Sequence, residues 1–360
     1  MKYIEEYRDK ELIFKLSDHI KKSVTRNYAF MEVCGGHTSA IHRFGIPSLL
    51  PPEITLISGP GCPVCVTATD FIDKAIAYSQ MENVTIVTFG DLIRVPGSSS
   101  SLEKEKARGA DVRIVFSGLE ALNIARSEPD KKIIFLGIGF ETTAPGTAVT
   151  VRTAKEEGIK NFMLLSGHKV MPPVMEAVVR EGIKIDGFLC PGHVATITGS
   201  EIFKFLPEKY KLGCVIAGFE PTDILQSLLM LVIQVNAKAP DIEIQYSRAV
   251  TPEGNLIAQD QLYKVFVHSD TRWRGFGNIS GSGLRLKKEY EDLDAEKRIP
   301  LDIKQLLDNP SCICGDILRG LKKPENCSLF RKKCSPENPV GACMVSAEGA
   351  CNTYFKYHSQ

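Results

Sequence analysis

Three cysteines and a histidine stand on glycine-rich stretches near the start of this sequence: Cys34 and His37 in CGGHT, Cys62 and Cys65 in GPGCPVC. Side chains set among glycines are not there to fill a core, so sulfur chemistry is the first reading. CGGHT puts a thiolate and an imidazole three residues apart, with two glycines that let the backbone come close to a bound group. Donors this soft favour iron, zinc or copper over magnesium. Ligation by Cys34, alone or with His37, leaves positions on the metal for outside ligands or a partner's side chain. At a strand-to-helix transition, Cys62 of the Cys-x-x-Cys pair sits beside unpaired N–H groups and the positive helix end, which favours its thiolate. Such a pair can bind metal or close a disulfide ring, and both readings stay open. As half of a zinc knuckle it needs a second Cys-x-x-Cys, which the sequence lacks.

Other polar groups are less specific. GFETTAPGTA (139–148) offers the carboxylate of Glu141 and the hydroxyls of Thr142 and Thr143, or simply a capping turn. His168 in SGHK, His193 in CPGH and Asp91 in TFGD are either site groups or satisfied turn residues. Cys190 and Cys214 lie in apolar strand runs and read as small buried hydrophobes. Six more cysteines crowd into residues 312–351, with no pair at the two-residue gap of a zinc ribbon and no compact ferredoxin run. Cys312, Cys327, Cys334 and Cys351 are separated by 14, 6 and 16 residues, and four thiolates on loops can hold a 4Fe-4S cube. Spacing alone does not choose four of the six.

The elements that must position these groups follow a rhythm. Short apolar runs (28–33, 53–58, 84–89, 112–117, 132–140, then 161–166, 185–190 and 213–218) alternate with helical stretches such as 68–80 and 118–127. Continuous β-branched runs between amphipathic helices predict parallel sheets covered on both faces. The fold class expected is therefore α/β. An opening helix over about 3–25 carries Leu12, Ile13, Leu16 and Ile20 on one stripe. From His37 to Cys62 is 25 positions, as from His168 to His193, which suggests an internal duplication into two similar parallel-sheet α/β domains. The expected divisions are 28–145, with CGGHT and CPVC; 146–255, a second α/β domain; and 256–360, joined by helix 1–27, a smaller and mainly helical Fe–S cluster domain. In the last, 273–284 reads as turn-rich and 285–297 as a charged helix. The polar glycine-rich segments all follow strand runs, at the edge where open parallel sheets bind ligands.

The remaining totals exclude several classes. A chain of 360 residues with 43% hydrophobic and 24% charged residues is globular, and its net charge of +1 gives no basic nucleic-acid surface. The charged N-terminus lacks a signal-peptide core and no apolar run is of membrane-spanning length, so a cytoplasmic protein is expected. In a reducing compartment, 11 cysteines point to metal ligation or redox work more than to staples.

CGGHT, GPGCPVC, GFETTAPGTA and the tail CICGDILRG…NCSLFRKKCSPENPVGACMVSAEGAC together resemble the HypD family of NiFe-hydrogenase maturation factors, over essentially the whole chain. The resemblance implies two related α/β domains plus a third holding a 4Fe-4S cluster. It also implies a complex with the small chaperone HypC, receipt of cyanide from HypE, and assembly of the Fe(CN)2(CO) moiety of the hydrogenase active site. On these positions, Cys34 would ligate the iron shared with a cysteine of HypC, Cys62 and Cys65 would be a redox pair also associated with iron, and Cys312, Cys327, Cys334 and Cys351 would hold the cluster. His37 and Glu141 are the further candidates for catalytic roles. Two positions depart from the family's pattern: Ser39 replaces a second histidine, for which His42 could substitute in a helical segment, and Ala68 replaces a proline. Whether the chain turns over a substrate is left open. The competing reading is a ferredoxin-linked thiol–disulfide oxidoreductase acting on protein disulfides, with Cys34 incidental.

Overall fold

The computed structural model describes residues 5–303 and 309–358. The segments 1–4, 304–308 and 359–360, including the first residues of the expected opening helix, lie outside the described residues. Two parallel sheets organise the chain. Strands β1 (Tyr28–Glu32), β2 (Ile54–Ser58), β7 (Gly187–Pro191), β8 (Gly213–Ala217) and β9 (Ile242–Ile244) form one, in the order β2-β1-β7-β8-β9. Strands β3 (Val84–Thr88), β4 (Asp111–Ile114), β5 (Lys132–Gly139) and β6 (Phe162–His168) form the other, in the order β4-β3-β5-β6. A hairpin, β10 (Phe266–Trp273) with β11 (Gly277–Leu286), is the one antiparallel pairing of strands among the described residues.

The apolar runs become interior strands because both faces are covered. Every residue of β3, β7 and β8 is buried. One apolar layer lies between the sheets, joining Met31 and Val33 to Ile86, Leu136 and Leu165, and takes in the cysteine-rich tail. The outer face of the five-stranded sheet is covered by the helices Lys10–Ser23 and Pro221–Ala237. That of the four-stranded sheet is covered by the helices Gly118–Ser127, Ala144–Glu156 and Leu256–Val265, with the hairpin. No helix among the described residues is long and apolar enough to cross a membrane.

Numbered within its own sheet, each assembly runs 2-1-3-4, the first continuing to a fifth strand, so both share one doubly wound plan. The four-stranded unit is inserted between the second and third strands of the five-stranded one. The sheets therefore do not part at residue 145: β1 and β2 pair onward with β7, while β6 belongs with β3–β5. Nor does the 25-residue register relate equivalent positions. His37 and Cys62 follow neighbouring strands of one sheet, whereas His168 ends β6 and His193 follows β7 of the other sheet. The expected turn-rich 273–284 is mostly strand, and the expected charged helix at 285–297 is a 3-10 turn, Lys288–Leu293, before a short helix, Ala295–Arg298.

Candidate functional site

In a 2-1-3 sheet the crevice opens where the chain leaves the first strand one way and the third the other, at their carboxyl ends. In the five-stranded sheet those ends belong to β1 and β7. The β1 end carries Cys34, N-cap of the helix Gly35–Arg43; the β7 end carries Pro191 and His193. The neighbouring β2 end delivers GPGCPVC. Its Gly61 accepts the Gly35 N–H at 2.9 Å, and a Cβ on Gly61 would stand 2.1 Å from the Cys34 nitrogen. Only a glycine lets the dithiol loop lie flat on the Cys34 turn. Cys62 caps the helix Pro63–Val66 and is joined to Cys65 by a disulfide, Cα–Cα 5.2 Å, with both residues buried.

Cys34 is half-buried, and its N–H donates to Glu32 Oε2 at 3.2 Å. Glu32 also accepts from the Thr38 hydroxyl, so one buried carboxyl group ties the strand end to the first helical turn. Burial drives the Glu32 pKa up to about 8. Burial, and then the charge of Glu348, push the Cys34 thiol up to about 12 against the pull of the helix N–H groups. His37 is wholly buried; its Nε2 faces two acceptors, the carbonyls of Ala217 (3.2 Å) and Gly218 (3.0 Å), which places the proton on Nε2. Burial lowers its pKa to about 4, and its Nδ1 has no partner among the described residues. Burial thus favours the uncharged form of Glu32, Cys34 and His37 alike. The Phe219 ring stacks on the His37 imidazole (4.5 Å) and on His193 (3.9 Å). A Cβ on Gly36 would lie 3.0 Å from that ring and 3.6 Å from Cys34 Sγ, so the aromatic stack and the sulfur share one wall.

The tail closes the crevice from the other side. Glu348 packs over Gly35, where a Cβ would come within 2.6 Å of the Glu348 Cβ. Two residues earlier, the Ser346 hydroxyl donates to Asp91 (3.1 Å), just beyond β3. The short helix Ala342–Val345 lies against Pro63–Val66. The hairpin grips the same loop: the Arg274 N–H donates to Val66 O (2.9 Å) and its Nε to Thr67 O (3.0 Å).

All six tail cysteines line one hollow. Cys314 Sγ and Cys343 Sγ are 2.8 Å apart, and Cys312 adjoins Cys314 as Cys351 adjoins Cys343, so these four thiols run together along the hollow. Cys312, Cys327, Cys334 and Cys351 are the other four donors around that space. Among the described residues no three His, Cys, Asp or Glu side chains converge on a single ion. A cube instead spreads its four thiolates around a cage, one to each iron, and the donor set around this hollow fits that requirement.

Other candidates lie apart. Glu141 lies two residues beyond β5 of the four-stranded sheet; its Oε1 accepts the Met171 N–H at 2.9 Å, its Oε2 has no partner among the described residues, and burial raises its pKa to about 7. His168 is buried there too, bonded to the Thr147 hydroxyl at 3.0 Å. His42 does lie on a helix, eight residues and so about 12 Å along the axis from Cys34. It bonds His358 (2.9 Å) in the tail rather than facing the thiol. Cys190 and Cys214 are buried on β7 and β8. Sequence reasoning missed Phe219, Glu32, Arg274 and Glu348. Single glycines next to Phe219, Arg274 and Glu348 hint at close approach, but nothing in the spacing says by what.

Residues 11–358 match the family described as HypD, hydrogenase formation hypA family. The chain is 46% identical to the hydrogenase maturation factor HypD of Rhizobium leguminosarum bv. viciae, over 99% of this chain and 96% of the relative. It is 44% identical to HypD of Azotobacter vinelandii (100% and 98%) and 42% identical to HypD of Escherichia coli K12 (100% and 99%). With the match running almost end to end on a chain whose cysteine motifs meet in one crevice, this protein belongs to the HypD family of hydrogenase maturation factors.

Proposed function

We propose that this protein is the cytoplasmic scaffold on which, together with HypC, the Fe(CN)2(CO) moiety of NiFe-hydrogenase is built, with cyanide arriving through HypE. The observation that carries the reading is the seam between Gly35 and Gly61, which sets the Cys34 turn against the Cys62–Cys65 loop at a strand-order crevice. Iron is the cargo and Cys34 its ligand, shared with a cysteine of HypC. A neutral, half-buried thiol gives up its proton when the cation arrives, and the walls of Phe219 and the tail limit water. Cys62 and Cys65 act as a two-electron thiol–disulfide couple beside that iron. His37 orients the turn through its carbonyl bonds and holds an unprotonated Nδ1; Glu141 is a proton-holding group just beyond the carboxyl end of β5.

The chain is an α/β pair, of duplicated origin supported by the common 2-1-3-4 order, with residues 256–360 as the cluster-bearing part. Cys312, Cys327, Cys334 and Cys351 would hold a 4Fe-4S cluster, which supplies one-electron chemistry when bound. Cys314 and Cys343, 2.8 Å apart, line the same hollow and are a candidate second thiol couple.

The bonded Cys62–Cys65 pair also suits a plain thiol–disulfide oxidoreductase. Infrared spectra of the anaerobic complex with HypC separate the two readings. Cyanide and CO bands that vanish in Cys34→Ala while the cluster chromophore persists support the scaffold. Absence of such bands in the unaltered complex overturns it.

A further inference from the structure

We propose that the open edge of β2 is a docking site for an extended, carboxylate-bearing segment of a partner protein. Register makes the edge available. The Tyr28 N–H donates to Glu53 O at 2.7 Å and the Gly59 N–H to Glu32 O at 2.8 Å, so residues 53, 55, 57 and 59 turn their backbone groups toward β1. Leu56 and Ser58 turn theirs outward, and among the described residues neither outward pair has a backbone partner. Ile54 points the same way, but its N–H is already taken by Pro51 O at 3.1 Å.

Natural sheets protect such edges with charge, shortness or cover. The other edges here follow that rule. β4 is charged at Asp111 and Arg113, β9 has three residues around Glu243, and β6 is covered by bridges to Asp294 and, just beyond its end, from Lys169 to Gly283. β2 reads ITLIS, without charge, proline or bulge. It forms the floor of two adjoining hollows, both of which include Thr55–Ser58, Lys323 and Tyr354. An extended strand is the backbone shape that satisfies alternate outward N–H and C=O groups. Lys323 sets the charge: Lys322 is paired with Asp316 (3.1 Å), whereas exposed Lys323 on the rim makes no ion pair among the described residues. A segment paired along Leu56–Ser58 ends level with Glu32, two residues before Cys34, because Glu32 and Ser58 are register partners.

The inference deepens the scaffold reading, from which it takes only the partners used as probes. Leu56→Pro removes the outward N–H and leaves the ladder to β1 intact, as prolines on edge strands do; Leu56→Ala controls for the lost side chain. Binding of the full chain is measured by calorimetry against purified HypC, and against HypE with HypC present. For one of the two, Leu56→Pro is expected to bind about tenfold more weakly than Leu56→Ala, as loss of a backbone pairing implies, and Lys323→Glu to weaken the same partner. In the unaltered chain, amide exchange at Leu56 and Ser58 slows when that complex forms. If exchange at both amides is unchanged by both partners, the proposal is overturned, whether or not Leu56→Pro folds. Slowed exchange in a Cys34→Ala chain that takes up no iron would keep the docking edge apart from the fate of the iron reading.

Discussion

The N–H of Gly35 and the carbonyl oxygen of Gly61 meet at 2.9 Å, so the two sulfur-bearing loops are one piece of backbone structure. Gly61→Ala places a methyl group 2.1 Å from the Cys34 nitrogen, against main chain that cannot rotate away. A loss of about 1–3 kcal/mol is expected, read as a lower denaturant midpoint. Gly146→Ala is the control: it lies in the helix Ala144–Glu156 with open space around its Cβ, and should be neutral or up to about 1 kcal/mol stabilising. Equal effects at the two sites would show that the seam is not tight.

Iron uptake should depend steeply on pH. With burial holding the Cys34 thiol up at about 12, the ligand is protonated through the neutral range and must lose its proton on binding. Apparent affinity of the complex for ferrous iron should rise about tenfold per pH unit between pH 6 and 8, with about one proton released per iron. A flat profile in anaerobic titrations would mean that Cys34 is not the ligand.

Stability without iron should pass through a maximum. Burial lowers His37, His42 and His168 from 6.5 to about 4, so the unfolded chain binds more protons between those values and stability rises with pH there. Burial raises Glu32 and Glu141 from 4.5 to about 8 and about 7, so the folded chain binds more protons and stability falls with pH from 4.5 upward. The histidines outweigh the carboxyls below about 6.5; above it only the fall remains. Urea unfolding should lose roughly 2 kcal/mol between pH 6.5 and 8, and Glu32→Gln should flatten that decline.

On the proposed ligand set, the tail cysteines should divide into four and two. Alanine at Cys312, Cys327, Cys334 or Cys351 should abolish the 4Fe-4S absorbance of anaerobically purified protein, whereas Cys314→Ser and Cys343→Ser should retain it. Absorbance that survives in Cys351→Ala and disappears in Cys314→Ser would reassign the ligands.

Local pattern made the strands and most helices legible, along with the edge on which the glycine-rich motifs gather, because parallel strands are buried on both faces and their loops exit at one end. Strand order was not legible. Phe30 pairs with Gly187 across the whole inserted unit, and no periodicity within β1 names a partner so distant. The equal 25-residue spacings misled for that reason. The hairpin was hidden by its glycines: a Cβ on Gly283 would strike Thr271 at 2.7 Å, so a residue read as a turn marker is a packing requirement inside a strand. Site residues identified by chemistry, Cys34 and the Cys62–Cys65 pair, could be picked out. Those that act by shape or support, such as Phe219 and Glu32, are ordinary residues until the fold brings them to the crevice.

The inserted unit also sets a timetable for synthesis. β1 ends at Glu32, and the strand that completes its crevice does not begin until Gly187. At ribosomal speeds of about 5–20 residues per second, Cys34 waits on the order of 10–30 seconds for its neighbour. The β3–β6 unit is contiguous and can fold meanwhile. A polypeptide still being translated therefore carries the sulfur but not the pocket, and stray metal finds no finished cradle until most of the message has been read.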